Sequence, residues 1–318
     1  MRVRIVYILA VLMFLQGNIS AQQTPVYSQY FMNGFVVNPA MAGIDGTLKF
    51  EVSARDYLIG IKESPMTFTA SANGRLLRKK VKVDNEKVRS QTGRVGMGGM
   101  IYDDHNGLVN RIGLQYTYSY HIDLRQSQLS LGLSLALSQT RIDAAKLDFN
   151  DPEPLLREGF GNLSYVPDAM LGALYKKDNH YVGLTVSNLF QKSVHFGKFD
   201  YNHVMYRQYL LLGGTIFDVG ENAYIAPSVL IKATSNRVFQ GEFATRFSYK
   251  DDIWIAASYR TPQVAALMIG IRAKNVFIGY TYEYNFNSIR NVSYGAQEVS
   301  LIYRIGDTAR RYRWLIRY

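Results

Sequence analysis

The 318-residue sequence contains no cysteine. Disulfide frameworks, thiol catalysis and lipid attachment through cysteine are therefore excluded. Long hydrophobic runs are also missing after residue 21, because no later stretch approaches the roughly eighteen apolar residues of a membrane helix. Proline is scarce at 8 residues, whereas Tyr (24), Phe (16) and Gly (26) are plentiful. This composition favours many strands with aromatic faces.

Motifs that carry chemistry are missing as well. The five histidines lack metal-ligand spacing, and no nucleophile elbow is present. The glycine-rich "GMGGM" at 96–100 lacks the Lys-Ser/Thr of a phosphate loop, and the oxygen-rich "DFNDPEP" at 148–154 lacks the calcium-loop pattern. The formal net charge of +11 suits an anionic lipid or an acidic partner, but no nucleic-acid motif accompanies it. We therefore expect no enzyme activity, metal, cofactor or nucleic-acid partner.

The first 21 residues form the strongly apolar part of the chain. Two arginines precede an apolar run from residue 5 to 15, and Ser20 and Ala21 are small residues suited to cleavage. This layout is typical of a secretory signal peptide, and the run is too short to cross a bilayer as a helix. A buried core helix is the alternative. We expect residues 1–21 to be a signal peptide and the mature chain to be exported.

Alternation of apolar and polar residues dominates from residue 48 onward. In "QLSLGLSLALSQ" (128–139), leucine occupies every second position from 129 to 137. Elsewhere the apolar face carries rows of Tyr or Phe, as in 110–122, 238–249 and 275–285. The sheets of a soluble sandwich also alternate, but rows of Tyr fit the aromatic girdles of an outer-membrane barrel.

The alternation predicts about fourteen strands, and single-chain bacterial barrels have an even number. An even number brings both termini to one side, which we expect to be the periplasm. Short predicted connections alternate with mostly longer ones at 103–109, 141–166, 189–205 and 286–296. We therefore predict an all-β fold, a transmembrane antiparallel β-barrel over 48–305. The predicted strands are 48–54, 66–78, 94–102, 110–122, 128–140, 167–176, 180–188, 206–218, 222–231, 238–249, 253–261, 263–272, 275–285 and 297–305.

Residues 22–47 precede the predicted barrel. Asn38 and Pro39 predict a helix start, with Asn as N-cap and Pro at the first helical position, and Gly43 predicts its end after about one turn. Because the segment is too apolar for water and too broken for a strand, we predict that it plugs the lumen. A lead-in packed under the barrel is the alternative. The predicted plug residues are Tyr27, Tyr30, Phe31, Asn38, Pro39, Ala40 and Gly43.

Polar side chains opposite the apolar faces are predicted to line the lumen, which argues against a channel for hydrophobic ligands. These residues are Arg111, Gln115, Glu242, Arg246, Arg272, Glu283 and Arg304. The loops 141–166 and 189–205 are predicted to face outward and contact secreted cargo, or else to fold inward and constrict the lumen.

Two basic stretches, the link 79–91 and the tail 306–318, are predicted to lie on the periplasmic side. We expect them to form a docking surface for an acidic secretion component or for anionic lipid. The alternative is a solvated turn with a frayed terminus. The predicted docking residues are Lys79, Lys80, Lys82, Arg310, Arg311 and Arg313.

A series of motifs between residues 22 and 305 carries a family resemblance. It begins with "PVYSQYFMNGFVVNPAMAG" and "RDYLIGIKESPMTFTASANG", continues with "GGMIYDDHNGLVNRIGLQYTYSYHI" and "PDAMLGALYKKDNHYVGLTVSNL", and ends with "QEVSLIYRI". In this order the motifs resemble the PorP/SprF family of Bacteroidota outer-membrane proteins, which is associated with type IX secretion. The chain departs from the family at "RDYLIG", where a Trp is more usual, and in its basic tail.

The resemblance implies an outer-membrane β-barrel that assists type IX secretion, gliding motility or surface retention of adhesins. The implied partners are outer-membrane lipid, other type IX secretion components, and cargo with a type B sorting domain. It implies neither an enzyme nor a small-molecule substrate. The alternative is an outer-membrane transport barrel, porin-like or FadL-like, because fatty-acid transporters also place an Asn-Pro-Ala segment in the lumen.

Overall fold

The computed structural model describes most of the chain between residues 32 and 305. It consists mainly of antiparallel strands, with short 3-10 turns at Gly34–Val36, Pro39–Met41 and Ser288–Asn291. Within the described residues, no helix is long and apolar enough to cross a membrane. The described ranges are 32–76, 94–107, 109–124, 126–142, 163–191, 193–196 and 199–305.

Among these residues, fourteen strands pair on both sides and close an antiparallel barrel. The ring runs through β1 to β7, then β10, then β12 to β17, and β17 pairs with β1 from Leu48↔Ile305 to Asp56↔Gln297. The short β11 continues β10, and β8 and β9 form a separate hairpin. The strands are β1 (Leu48–Asp56), β2 (Met66–Arg75), β3 (Val95–Asn106), β4 (Val109–Asp123), β5 (Ser127–Ile142), β6 (Leu163–Lys177), β7 (His180–Ser187), β8 (Ser193–Phe196), β9 (Phe199–Val204), β10 (Gln208–Thr215), β11 (Phe217–Asp218), β12 (Ala223–Thr234), β13 (Phe239–Tyr249), β14 (Ile253–Arg260), β15 (Val264–Ala273), β16 (Val276–Asn285) and β17 (Ala296–Ile305).

The two ends of the barrel differ in their connections. We call the end where β1 begins and β17 finishes the terminal end, and the opposite end the loop end. Apart from the link between β2 and β3, terminal-end connections are two to four residues long. The longest connections of the loop end join β5 to β6 and β7 to β10, and the second of these contains the β8–β9 hairpin. The predicted fourteen-stranded barrel is thus confirmed.

The outward face of the barrel is an apolar belt. On β5, Leu131, Leu133, Leu135 and Leu137 are 41–53% exposed, whereas Ser130 and Ser134 at the alternate positions are buried. On the neighbouring β4, Tyr116, Tyr118 and Tyr120 are likewise exposed. Because successive side chains of a strand point to opposite faces, the apolar side chains face outward to lipid and the small polar ones face the lumen.

The predicted connection 103–109 is wrong. β3 and β4 pair as far as Asn106↔Val109, which leaves only a two-residue turn. The polar residues of this stretch stay in the ladder because they find partners there, and the Thr67 hydroxyl of β2 donates to Asp104 Oδ1 at 2.7 Å. The prediction ended β3 too early because it took a run of polar residues as a sign of a loop.

Replacing Leu133, near the middle of β5, by Arg would place a charge in lipid. Such a charge on the lipid face of a barrel costs about 2–4 kcal/mol near the bilayer midplane. We expect Leu133→Arg to unfold at a lower urea concentration than the wild type, seen as loss of the folded, heat-modifiable gel band. Comparing unboiled and boiled samples on a mild-detergent gel measures the folded fraction.

The matched control is Leu133→Phe, which keeps an apolar side chain on the same face and should unfold at nearly the wild-type urea concentration. Equal midpoints for the Arg and Phe variants would contradict the lipid-facing assignment. A predominantly helical circular dichroism spectrum of the wild type would contradict the barrel itself.

Candidate functional site

Residues 32–47, called here the inner segment, lie inside the terminal-end half of the barrel. Asn38 has extended backbone and caps the single 3-10 turn Pro39–Met41, and Ala40 N donates to its side-chain oxygen at 2.9 Å. Gly43 follows with φ +66°, a conformation that favours glycine. The Asn-Pro start was predictable from the sequence, and the helix is one 3-10 turn.

Asn38 attaches the inner segment to the barrel wall. Its side chain is fully buried, and its amide nitrogen donates to the carbonyl oxygens of Ala173 at 3.1 Å and Leu184 at 3.3 Å. These two residues face each other on β6 and β7. Because a buried amide without partners would cost about 1–3 kcal/mol, these hydrogen bonds favour one position for the turn.

A second attachment follows the turn, at Ala42 and Gly43. Ser119 Oγ donates to the carbonyl oxygen of Ala42 at 2.7 Å, and His121 Nε2 lies 3.0 Å from the same oxygen. Gly43 N donates to Asn73 Oδ1 at 3.2 Å. The small polar residues on the inward face of β2 and β4 therefore bind the backbone of the inner segment.

Inward-facing glycines of the wall let the backbone of the inner segment approach without steric clash. A Cβ at Gly132 of β5 would collide with the backbone of Pro39 and Ala40, and one at Gly96 of β3 would collide with the carbonyl oxygen of Ala42. Leucines and serines alternate around Gly132, so the glycine interrupts the inward row of the strand at the point of closest approach.

Apolar side chains of the inner segment pack on two sectors of the wall. Phe35, Val36, Met41 and Ile44 belong to a buried cluster with Met100, Leu174 and Leu212 of β3, β6 and β10. Met32 belongs to a second cluster, which contains Trp254, Met268, Phe277 and Ile302 of β14 to β17. The inward face is therefore partly apolar, and the expectation of a polar lumen is wrong in these sectors.

Charged residues form a buried network near the loop end. Arg55 donates to Glu298 Oε2 at 2.9 Å and to Glu283 Oε2 at 2.8 Å. Arg260 donates to the same oxygen of Glu283 at 2.8 Å and lies 3.8 Å from Glu242 Oε2. The network joins β13, β14, β16, β17 and β1 along one side of the ring. Breaking a buried pair of this kind costs about 3–5 kcal/mol because the remaining charge is left uncompensated.

At the terminal end, Asp45 of the inner segment forms an ion pair with Lys49 at the start of β1. Burial would raise the pKa of the Asp45 carboxyl, but Lys49 and Arg304 hold it below its ordinary value. Two guanidinium carbons lie near the ring of Phe277, that of Arg304 at 4.2 Å and that of Arg272 at 5.2 Å from its centroid. This mouth of the barrel is rich in cations.

A cavity of about 190 Å³ lies above the inner segment, in the loop-end half of the lumen. Val36 and Val37 form its floor, and β3 to β7, β10 and β12 to β14 contribute walls in their loop-end halves. The lining is mixed. Apolar side chains include Met100, Leu210 and Leu230, and charged ones are Arg111, Asp168, Lys232, Glu242 and Arg260.

The predicted luminal residues divide into two groups. Arg111, Gln115 and Glu242 line the cavity, and Glu283 joins the charge network beside it. Arg246, Arg272 and Arg304 belong to the terminal half, with Arg246 near the Tyr224 ring. The sequence prediction omitted Arg55, Arg260 and Glu298, although the same alternation in "QEVSLIYRI" places Glu298 opposite the outward Val299 and Leu301.

Several other predicted residues lie outside the described ranges. Among the plug residues these are Tyr27, Tyr30 and Phe31, whereas Asn38, Pro39, Ala40 and Gly43 contact the inward wall. The signal peptide 1–21, most of the loop 141–166 and the tail 306–318 also lie outside. The same holds for the predicted docking residues Lys79, Lys80, Lys82, Arg310, Arg311 and Arg313.

The chain matches one protein family over most of its length. The family model of the type IX secretion system membrane protein PorP/SprF matches residues 19–303. The chain belongs to this family. The comparison with curated proteins gives no match. The PorP/SprF resemblance seen in the sequence motifs is confirmed.

Solved structures with a similar fold are outer-membrane proteins. The Ralstonia pickettii toluene transporter TbuX matches with a TM-score of 0.52 and 10% identity, over 85% of this chain and 92% of that one. The Acinetobacter baumannii outer membrane protein Omp33 matches with a TM-score of 0.47 and 9% identity, over 82% of this chain and 99% of that one. This PorP/SprF protein therefore has the fold of an outer-membrane β-barrel, and its family is one of secretion proteins rather than an enzyme class.

The attachment at Asn38 generates a prediction that uses the lack of native cysteine. Asn38→Asp keeps the acceptor for Ala40 N but sets a carboxylate oxygen against two backbone carbonyls. We expect the inner segment to detach more often, since leaving such groups unsatisfied costs about 1–3 kcal/mol. In an Ile44→Cys background, maleimide labelling should accelerate about tenfold.

Asn33→Asp is the matched control. Asn33 Nδ2 donates to the Ser71 hydroxyl at 2.9 Å, and a hydroxyl can reverse and donate to a carboxylate. Labelling at residue 44 should therefore stay near the rate of the Ile44→Cys parent. Equal acceleration by both Asp variants would show that charge in the lumen, rather than the Asn38 hydrogen bonds, controls the segment.

Proposed function

We propose that this PorP/SprF barrel serves type IX secretion by docking proteins at its two ends. It holds secretion components on the periplasmic side and assists the secretion or surface anchoring of adhesins, including those used in gliding. The observation that carries this proposal is the inner segment, which is hydrogen-bonded and packed inside the lumen. A barrel whose lumen holds such a segment is better suited to presenting surfaces than to conducting a polypeptide.

The segment from residue 22 to 47 is proposed to be a plug. In its described part, Asn38 and Gly43 hydrogen-bond to different strands, and two apolar clusters add packing. Fourteen strands enclose less space than the 16–18 strands of porins with open channels, so one folded segment takes up much of the lumen.

We propose that the terminal end faces the periplasm, as expected when an exported chain inserts with both termini on the side of entry. This end carries the basic link 79–91 and leads into the basic tail 306–318. Arg246, Arg272 and Arg304 add positive charge at the mouth. Complementary charge mainly speeds and orients encounter, so an acidic periplasmic component is the proposed partner.

The loop end would then face outward, and we propose that it contacts secreted cargo with a type B sorting domain. The connection between β5 and β6 combines acidic residues with Leu155, Leu156 and Phe160, a mixed composition suited to recognition. Together with the connection that contains the β8–β9 hairpin, it supplies the longest loops of this end.

A transport barrel for small solutes or hydrophobic ligands is the second candidate. The observation that favours it is the partly apolar lumen, with a cavity of about 190 Å³ above the inner segment. The similar fold of TbuX, a toluene transporter, is in keeping with this candidate. Passage would require the inner segment to move, since its contacts reach both sectors of the wall.

Deleting residues 24–43 separates the two candidates. A plug predicts low single-channel conductance for the wild type in planar bilayers and a clear rise after the deletion, because the contacts of Asn38 and Phe35 are removed. Deleting the tail 306–318 is the control and should leave conductance unchanged. High conductance of the wild type, unaltered by the 24–43 deletion, would favour the transport barrel and a lead-in outside the conducting path.

The docking surface is tested by reversing three charges. Changing Arg310, Arg311 and Arg313 to Glu should reduce co-purification of a periplasmic partner from detergent-solubilised membranes, because attraction to an acidic surface becomes repulsion. Barrel insertion, measured by heat modifiability, should be unaffected.

The matched control reverses three exposed cations of the loop end, Lys62, Arg237 and Arg290. The recovery of the periplasmic partner should then equal that of the wild type. If the tail reversal also leaves partner recovery and secretion at wild-type levels, the periplasmic docking surface is disproved. If both reversals reduce recovery equally, net charge rather than a defined surface governs binding.

A further inference from the structure

Lys232 occupies a distinctive place in the loop-end cavity. It lies on β12, opposite Leu210 of β10 on one side and Gln240 of β13 on the other. All three residues line the cavity, and so does Leu230, two positions earlier on the same strand. The ammonium of Lys232 therefore enters a space whose nearest walls are largely apolar.

The other charges of the cavity are engaged elsewhere. Arg260 donates to Glu283 and lies near Glu242, so these three charges belong to the buried network. An oxygen of Asp168 accepts from Phe190 N at 3.2 Å. Arg111 is the remaining charged residue of the lining, and it is a second cation rather than a counter-charge.

Lys232 differs from these residues. Among the described ranges, no hydrogen bond or ion pair of its ammonium is found, and its charged neighbour is Arg260, which has the same sign. A half-buried ammonium beside another cation is unfavourable unless an anion joins it. The side of the cavity around Lys232 is thus positively charged and favours binding of a negative group.

The rest of the cavity sets the size and polarity of such a ligand. Val36 and Val37 of the inner segment and Leu210 and Leu230 of the wall supply apolar contact. An apolar cavity of about 150 Å³ is sufficient to bind benzene, so about 190 Å³ suits one aromatic ring or a short alkyl chain with a small polar group.

We propose that the loop-end cavity binds a compact amphipathic organic acid. Its carboxylate pairs with Lys232, within reach of Gln240, and its apolar part rests on Val36, Val37 and Leu230. This small-molecule site is separate from the protein docking proposed above, and it departs from the sequence-based expectation that no small molecule binds. The inner segment forms its floor, so the ligand contacts both the wall and residues 36–37.

The probe is 4-fluorobenzoate, observed by fluorine NMR with the full-length mature protein in lipid nanodiscs. We expect its signal to broaden with wild-type protein, and the affinity to fall about tenfold or more in Lys232→Gln, since a charge-assisted contact is lost. The matched control is Lys274→Gln, in the terminal-end turn between β15 and β16, which should bind as the wild type does.

A neutral analogue, 4-fluorobenzyl alcohol, tests the charge requirement. It should bind the wild type more weakly than the benzoate and should be insensitive to Lys232→Gln. Ala136→Phe, which reduces the space of the cavity, should weaken both probes while the heat-modifiable band stays intact. Absence of benzoate binding to the wild type, or equal affinity in Lys232→Gln, would overturn the proposal. Equal binding of alcohol and benzoate would replace it with a merely apolar cavity.

Discussion

The pairing of β1 with β17 is the constraint on which the rest of the structure depends. In lipid an unpaired strand edge would leave backbone groups without partners at several kcal/mol each, so the sheet must close. The nine-residue seam from Leu48↔Ile305 to Asp56↔Gln297 closes it and brings the start of β1 and the end of β17 together. That single junction fixes the position of the inner segment, because the chain reaches β1 from the terminal end.

Closure of the barrel also buries polar side chains on the inward face, and these side chains need hydrogen-bond partners. The inward faces of β2, β4 and β5 carry small hydroxyl and amide side chains, and the backbone of the inner segment satisfies part of their hydrogen-bonding capacity through Ala42 and Gly43. Glycine at 132 then lets Pro39 and Ala40 approach the wall. The wall therefore fits this segment on two sides. Hydrogen bonds and the Phe35 cluster hold it on one side, and Met32 packs toward Trp254 and Phe277 on the other.

Sequence patterns predicted the strands well because a period of two is unambiguous where polar and apolar residues alternate, as in β4 and β5. They were less informative where both faces are apolar. In "IWIAASYR" Trp254 faces the lumen and Ile253 and Ile255 face outward, and periodicity cannot distinguish them. The charge network was missed for another reason. Arg55 and Glu283 are far apart in the chain, and the β1–β17 seam brings them within hydrogen-bond distance, whereas Arg260 reaches Glu283 across β15.

Val36 and Val37 connect the two halves of the lumen. Both pack with the apolar cluster that holds the inner segment, and both form the floor of the cavity beside Lys232. Whatever releases the segment also removes that floor, so the position of the inner segment and the shape of the cavity are not independent. A molecule that binds the cavity would, by linkage, stabilise the inner segment in place, since it contacts the attached state and loses its apolar support in the detached one. Events at the loop end and at the terminal end would then be coupled through two valines rather than through the charged wall.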